Sequence, residues 1–248
     1  IEYSPAALEW LGFRKVRNLI VRLTMVLTIF GVVLSTLHQS SLGTLMVIAG
    51  PKMHPLWQTP VLPLLFLLSA VAVGFPMVIF ESMIASRSFK LKMEMDVLSR
   101  LGGLVAPILG VYLAFKLGDM FIRETFVYLQ EFNTVSVMWT IEVVAGVIIP
   151  LRMFLSRAVL RSPALLFTAS ALVILGVALN RINNFVVAYT PPYQFSSYFP
   201  SIGEFSVTLG FIALLVLMYR AYVMIFPVIS LPEGSTAPKT KYAIRGKQ

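Results

Sequence analysis

The chain has 248 residues, 58% of them hydrophobic and only 12% charged, and its mean hydropathy is +0.84. That make-up excludes an ordinary soluble domain and marks a polytopic membrane protein. The formal net charge of +9 belongs to basic residues that flank apolar runs, so topology explains it and nucleic acid is not expected as a partner. With no cysteine, the chain offers no disulfide, no thiolate for an iron–sulfur cluster and no attachment point for a covalent haem.

The opening IEYSPAALEWLG has no basic region leading into a short apolar core, so it does not read as a signal peptide. Residues 1–18 read as a basic cytoplasmic segment. A spanning helix needs about 20 mostly apolar residues, and six runs qualify: Leu19–Leu37, Val61–Met83, Leu98–Leu117, Val135–Leu155, Ala164–Val187 and Phe205–Ile229. The fifth loses its apolar character early, at NRINN (Asn180–Asn184). The expected fold is all-α, a six-span transmembrane helix bundle over residues 19–230, followed by a flexible cytoplasmic tail over residues 231–248, LPEGSTAPKTKYAIRGKQ. Gly and Pro inside the spans, such as Gly74, Pro76, Gly146 and Pro150, suit close helix contact and kinks.

Basic residues set the direction. With the first helix starting in the cytoplasm, the inner segments hold 15 of them, among them Arg14, Arg87, Arg100, Arg157 and Lys239, and the outer segments hold four: Lys52, Lys116, Arg123 and Arg181. The positive-inside rule then puts both termini in the cytoplasm. Arg220 is left inside the last span, snorkelling or paired with an acid.

The stretch Leu37–Pro60, LHQSSLGTLMVIAGPKMHPLWQTP, becomes an outer connection by this reading. It carries both histidines of the chain, His38 and His54, together with Gln39, Ser40, Ser41, Lys52, Trp57 and Gln58. Polar groups at membrane depth persist where protein or a watery cavity satisfies them, so this stretch reads as one wall of a site. A membrane b-type cytochrome uses two axial ligands per haem, usually histidines facing each other across spans. Here both histidines fall in one outer stretch, and no haem is expected. No metal site is expected either.

Four segments carry a resemblance. LHQSSLGTLMVIAGPKMHPLWQTPVLPLLFLLSAVAVGFPMVIFES (Leu37–Ser82), SVMWTIEVVAGVIIPLR in the fourth span, RINN at Arg181 and YFPSIGE ending at Glu204 together resemble the integral-membrane subunits of hydrogenase-2 type nickel–iron hydrogenases, within the wider NrfD/polysulfide-reductase membrane family. The likeness runs over nearly the whole chain. It implies a haem-free protein of about ten helices, of which these six spans would be the last six, set in the bacterial inner membrane. It implies electron exchange between a membrane quinone, menaquinone or ubiquinone, and a periplasmic ferredoxin-like four-cluster iron–sulfur subunit that serves the large and small subunits of a nickel–iron hydrogenase. The chain would be one part of an oxidoreductase and not catalytic alone.

Intramembrane acids are functional candidates by default. Glu142 falls roughly 10 Å into the fourth span at 1.5 Å per residue, and Glu81 lies near the cytoplasmic end of the second. Both are assigned to a proton route. A quinone needs a proton donor or acceptor within reach of its carbonyls, and imidazole, whose charge changes near neutral pH, suits that task. His38, Gln39, Ser40, Asp119 and Arg181 are therefore the expected quinone-binding set, with His54 and Trp57 secondary. Each has a plainer reading: His38 as an interfacial hydrogen-bonded histidine, His54 and Trp57 as headgroup-level anchors, Glu81 paired with Arg87 or Lys90, Glu142 as a bridge between helices. Two other function classes share the composition, a proton-coupled secondary transporter and a bare membrane anchor for a redox complex. The first wants an internal repeat that the six spans do not display. The second has no use for buried carboxylates.

Overall fold

The computed structural model describes residues 8, 14–88, 93–190 and 200–225. The long elements are all helices: α1 (Arg14–Ile48), α2 (Leu62–Ser88), α3 (Met95–Ile122), α4 (Thr134–Phe154), the short α5 (Arg157–Arg161), α6 (Pro163–Val187) and α7 (Ile202–Ile225). Six of them are long and apolar enough to cross a membrane, matching the six predicted runs, and the protein is a multi-pass, all-α membrane protein. The predicted tail over residues 231–248, most of the segment over residues 1–18, and Lys90 and Lys92 lie outside the described residues.

One boundary differs substantially. The predicted first span stops at Leu37, but α1 continues to Ile48 and takes His38, Gln39, Ser40 and Ser41 into the helix. Hydroxyls make this possible by bonding back along the same helix: Ser41 Oγ donates to the His38 carbonyl at 2.7 Å and Thr44 Oγ1 to the Ser40 carbonyl at 3.2 Å. Polar side chains that spend their hydrogen bonds locally need no loop.

Two compact units are present, residues 32–199 and residues 1–31 with 200–248. In the second, the side chains of α7 from Ile202 to Arg220 are exposed all round, which suits a helix that meets lipid or another helix. In the first, α2, α3, α4 and α6 form a four-helix core. Away from the α1–α2 connection this core is apolar, with Ile79, Val105, Leu109, Phe154, Leu166 and Val173 buried together. Toward that connection Met53, Leu56, Trp57, Phe66, Met120 and Trp139 form a second cluster. We call this the loop end of the bundle.

Local sequence explains how the helices come to this arrangement. Asn133 caps α4 by accepting the Ser136 amide N–H at 2.9 Å, the usual service of an N-cap asparagine. Inside α4 a π turn at Val144–Ile148 precedes Pro150, whose ring would otherwise crowd the carbonyl four residues earlier. At that turn the helix meets α6 glycine to glycine: a Cβ on Gly176 would stand 2.3 Å from Gly146 Cα, a separation that only glycine permits and the kind of small-residue contact membrane helices use. A second π turn closes α6 at Asn183–Val187. There the Asn184 side chain amide takes the Asn180 carbonyl at 2.8 Å, and the backbone ladder slips by one residue.

A buried ion pair beneath the loop end

Glu142 is the centre of the loop end. It points inward from α4 and is 1% exposed. Lys116 of α3 forms an ion pair with its Oε1, and Asn180 Nδ2 donates to the same oxygen at 2.8 Å. Trp57 Nε1 donates to Oε2 at 3.0 Å and Asn183 Nδ2 donates to it at 2.8 Å. A buried carboxylate needs its lone pairs filled as well as its charge matched. Here α3, α6 and the α1–α2 connection each contribute to that. At 1.5 Å per residue Glu142 lies roughly 12 Å from the start of α4, and Lys116 roughly 9 Å from the end of α3, so the two meet about two turns below the loops.

Nearer the surface, Asp119 accepts from Thr59 Oγ1 at 2.8 Å and pairs with Arg123 Nε at 2.9 Å. Arg123 also donates to the carbonyls of Pro55 and Gln58, tying α3 to the connection that carries Trp57. Arg181 of α6 lies over the Phe66 ring, 3.7 Å from its centroid, and donates to Asn180 Oδ1 at 2.7 Å and to Ser69 Oγ at 2.8 Å. Between the ion pair and the Asp119–Arg123 pair is a cavity of about 20 Å³, large enough for a water and far too small for a quinone ring.

The predicted residues therefore separate into groups. Glu142, Trp57, Asp119 and Arg181 come together in the bundle, Trp57 as a buried donor and not as a headgroup anchor. His38 does not join them. It is exposed on α1, five residues and so about 140° of helix from Gly43, the residue that packs on Pro63. Gln39 and Ser40 are half-buried beside it. Glu81 is exposed at the far end of α2. His54 lies in the connection, its ring edge-on to Trp57 and Tyr128 at centroid distances of 6.2 and 5.5 Å, and its Nδ1 accepts the Leu56 amide N–H at 3.3 Å. Sequence reasoning missed Lys116, Asn180 and Asn183. Lys116 reads from sequence as an outer topological charge because the predicted span ends at Leu117, one residue beyond it, whereas α3 runs on to Ile122 and carries Lys116 into the bundle.

The family description "Polysulphide reductase, NrfD" matches residues 2–190. A protein of Nitratidesulfovibrio vulgaris is 37% identical over 239 residues, 92% of this chain and 61% of its own length. The "Probable Ni/Fe-hydrogenase 2 b-type cytochrome subunit" of Escherichia coli is 29% identical over 232 residues, again 92% of this chain and 59% of that protein. The chain thus spans about 60% of the length of these curated relatives. No solved structure matches it.

The Escherichia coli relative's name overturns one expectation. A b-type cytochrome subunit is a haem protein, so the expectation of a haem-free protein is corrected. That expectation counted opposed histidines within this chain alone, whereas an axial pair can be completed by methionine or from another chain. The described histidines do not themselves form such a pair, since His38 is exposed on α1 and His54 Nδ1 is engaged by Leu56.

Proposed function

The chain belongs to the polysulphide reductase, NrfD family, and from that premise we propose that it is the membrane subunit of a respiratory oxidoreductase, exchanging electrons between the quinone pool and an iron–sulfur partner outside the membrane. The observation that carries this reading is the family match over residues 2–190 together with a relative named as a hydrogenase subunit. By the same reading the partner is the ferredoxin-like subunit of a nickel–iron hydrogenase, the membrane is the bacterial inner membrane, and the loop end faces the periplasm, with 15 basic residues on the opposite side against four.

Quinone is the substrate and arrives through lipid. The two cavities beside the ion pair, of about 20 and 10 Å³, are too small for its ring, and His38 is exposed on α1, so the proposed contact is His38 with Gln39 and Ser40 alongside. Reduction of a quinone takes up two electrons and two protons, and an imidazole beside the ring can deliver a proton to a carbonyl oxygen as electrons arrive, or accept one in the reverse direction. Asp119 and Arg181 then belong to the framework beneath and not to the ring contact, because both are committed to partners inside the bundle.

The test is His38→Ala in the purified complex. Quinone-linked activity should fall about 100-fold or more, the scale of a lost general acid–base group, while activity with a soluble dye at the partner's catalytic site is retained. Loss of both activities together with loss of copurification would make His38 a structural residue and remove α1 as the quinone face.

A further inference from the structure

The ion pair and the loop end are separated by a gap that neither closes. Its lining includes Lys116, Asp119, Arg123, Trp139, Asn180 and Asn184. Two of these side chains bring unfilled hydrogen-bonding capacity. Among the described residues, Trp139 Nε1 is buried with no acceptor and Asn184 Oδ1 is buried with no donor. The orientation of the Asn184 amide is fixed, because its Nδ2 donates to the Asn180 carbonyl at 2.8 Å, so the free atom is the oxygen. A donor and an acceptor left over on the wall of one cavity is an arrangement that buried protein polar groups almost never leave unresolved.

We propose that this cavity is an internal water site, and that its water joins the Lys116–Glu142 pair to the loop end of the bundle and to no other part of it. The volume of about 20 Å³ exceeds the roughly 10–15 Å³ that one water needs, and a buried water is held by two to four polar partners. This water accepts from the Trp139 indole N–H and donates one hydrogen to Asn184 Oδ1. Its second lone pair faces the Lys116 ammonium, and its second hydrogen is free for Asp119, which lines the same cavity. Protons on Lys116 then exchange with solvent by way of the loop end. On the other side of Glu142 the space shrinks to about 10 Å³, where Ala72, Leu109, Gly146, Val147 and Gly176 stand beside Ser69, Tyr112 and Asn180, and the core below is apolar apart from the buried Ser170 hydroxyl. That space is at the lower limit of what one water needs. The inference rests on the cavity and its two unfilled partners and stands or falls independently of the quinone reading.

The indole N–H groups report it directly, because the chain has three tryptophans, assignable by single Trp→Phe changes in the full chain labelled with ¹⁵N-tryptophan in a lipid nanodisc. Trp139 Nε1–H should show cross-relaxation with water and exchange in deuterium oxide, while Trp57 Nε1–H, bonded to Glu142, should show neither. Asn184→Leu should abolish the Trp139 water signal and leave the Trp57 resonance in place. A dry Trp139 indole in the unmodified protein overturns the proposal whatever the variant does. A water signal at Trp139 that survives Asn184→Leu, or an equal signal at Trp57, also overturns it, since the water would then not be held by this pair or confined to this side.

Discussion

On the loop side of the Gly146–Gly176 contact, the four core helices are held by Glu142 and its four donors, by Asp119 with Arg123, and by Arg181 on Phe66. On the other side the same helices bury Ile79, Val105, Leu109, Leu166 and Val173 against one another. In water the second half would be the stronger, because burying apolar surface drives folding. In lipid that driving force between helices is absent, and what remains is close packing and interhelical hydrogen bonds. The apolar half supplies shape, which neighbouring registers could nearly reproduce. The polar half supplies register, because Glu142 finds Lys116, Asn180, Asn183 and Trp57 together at only one setting of α3, α4 and α6.

The largest effect that would break this contrast is at Glu142. Glu142→Leu leaves the Lys116 charge buried without a partner and should destabilise by about 3–5 kcal/mol, read from denaturant titration of the helical signal in mixed micelles. Adding Lys116→Leu should recover a good part of that loss. A double variant as unstable as the single would mean that the ion pair does not hold this half together. At the boundary, Gly176→Ala places a Cβ 2.3 Å from Gly146 Cα and should cost about 1–3 kcal/mol as overpacking. The control is Gly103→Ala, where nothing lies within 4 Å and stability should hardly change.

The smallest effect sharpens the contrast from above. Burial lowers the pKa of His54 below its ordinary 6.5, with Glu131 opposing the shift in part. The folded protein therefore resists a proton that the unfolded chain accepts. Stability from this group is complete above about pH 6.5 and is lost as pH falls from there toward the lower folded-state value. Protonation at Nδ1 would also remove the acceptor for the Leu56 amide. The unfolding midpoint should drop modestly on acidification through that window, and His54→Gln should flatten this part of the profile. A profile unchanged by the substitution would assign the pH sensitivity to another group.

The spans were legible because twenty apolar residues in a row have few other uses, and Glu142 was legible because an acid at that depth is costly. The continuation of α1 through His38–Ser41 was not, since HQSS is ordinary loop chemistry until its hydroxyls are seen bonding back to the helix. Lys116 escaped for a different reason. Its partner is 26 residues away in sequence, and one lysine near the end of a span looks the same whether it reaches for water or for a buried carboxylate. The two π turns had cues, Pro150 and the NRINN asparagines, but a ladder slip of one residue depends on which carbonyl a side chain captures, and spacing alone does not fix that.

The connection that carries Trp57 is stitched to the end of α6. His54 N–H donates to the Ala188 carbonyl at 2.8 Å and Thr190 N–H to the Lys52 carbonyl at 2.7 Å, flanking the Met53–Tyr189 bridge. Trp57, three residues on, reaches Glu142, which Asn180 and Asn183 of α6 also hold. Indole, carboxylate and helix end thus close a mechanical loop, like a latch whose bolt and keeper are cut from one bar. A pull on the connection is felt at the carboxylate, and the backbone that carries the indole is held in place by the same two bonds that tie it to the residues after α6.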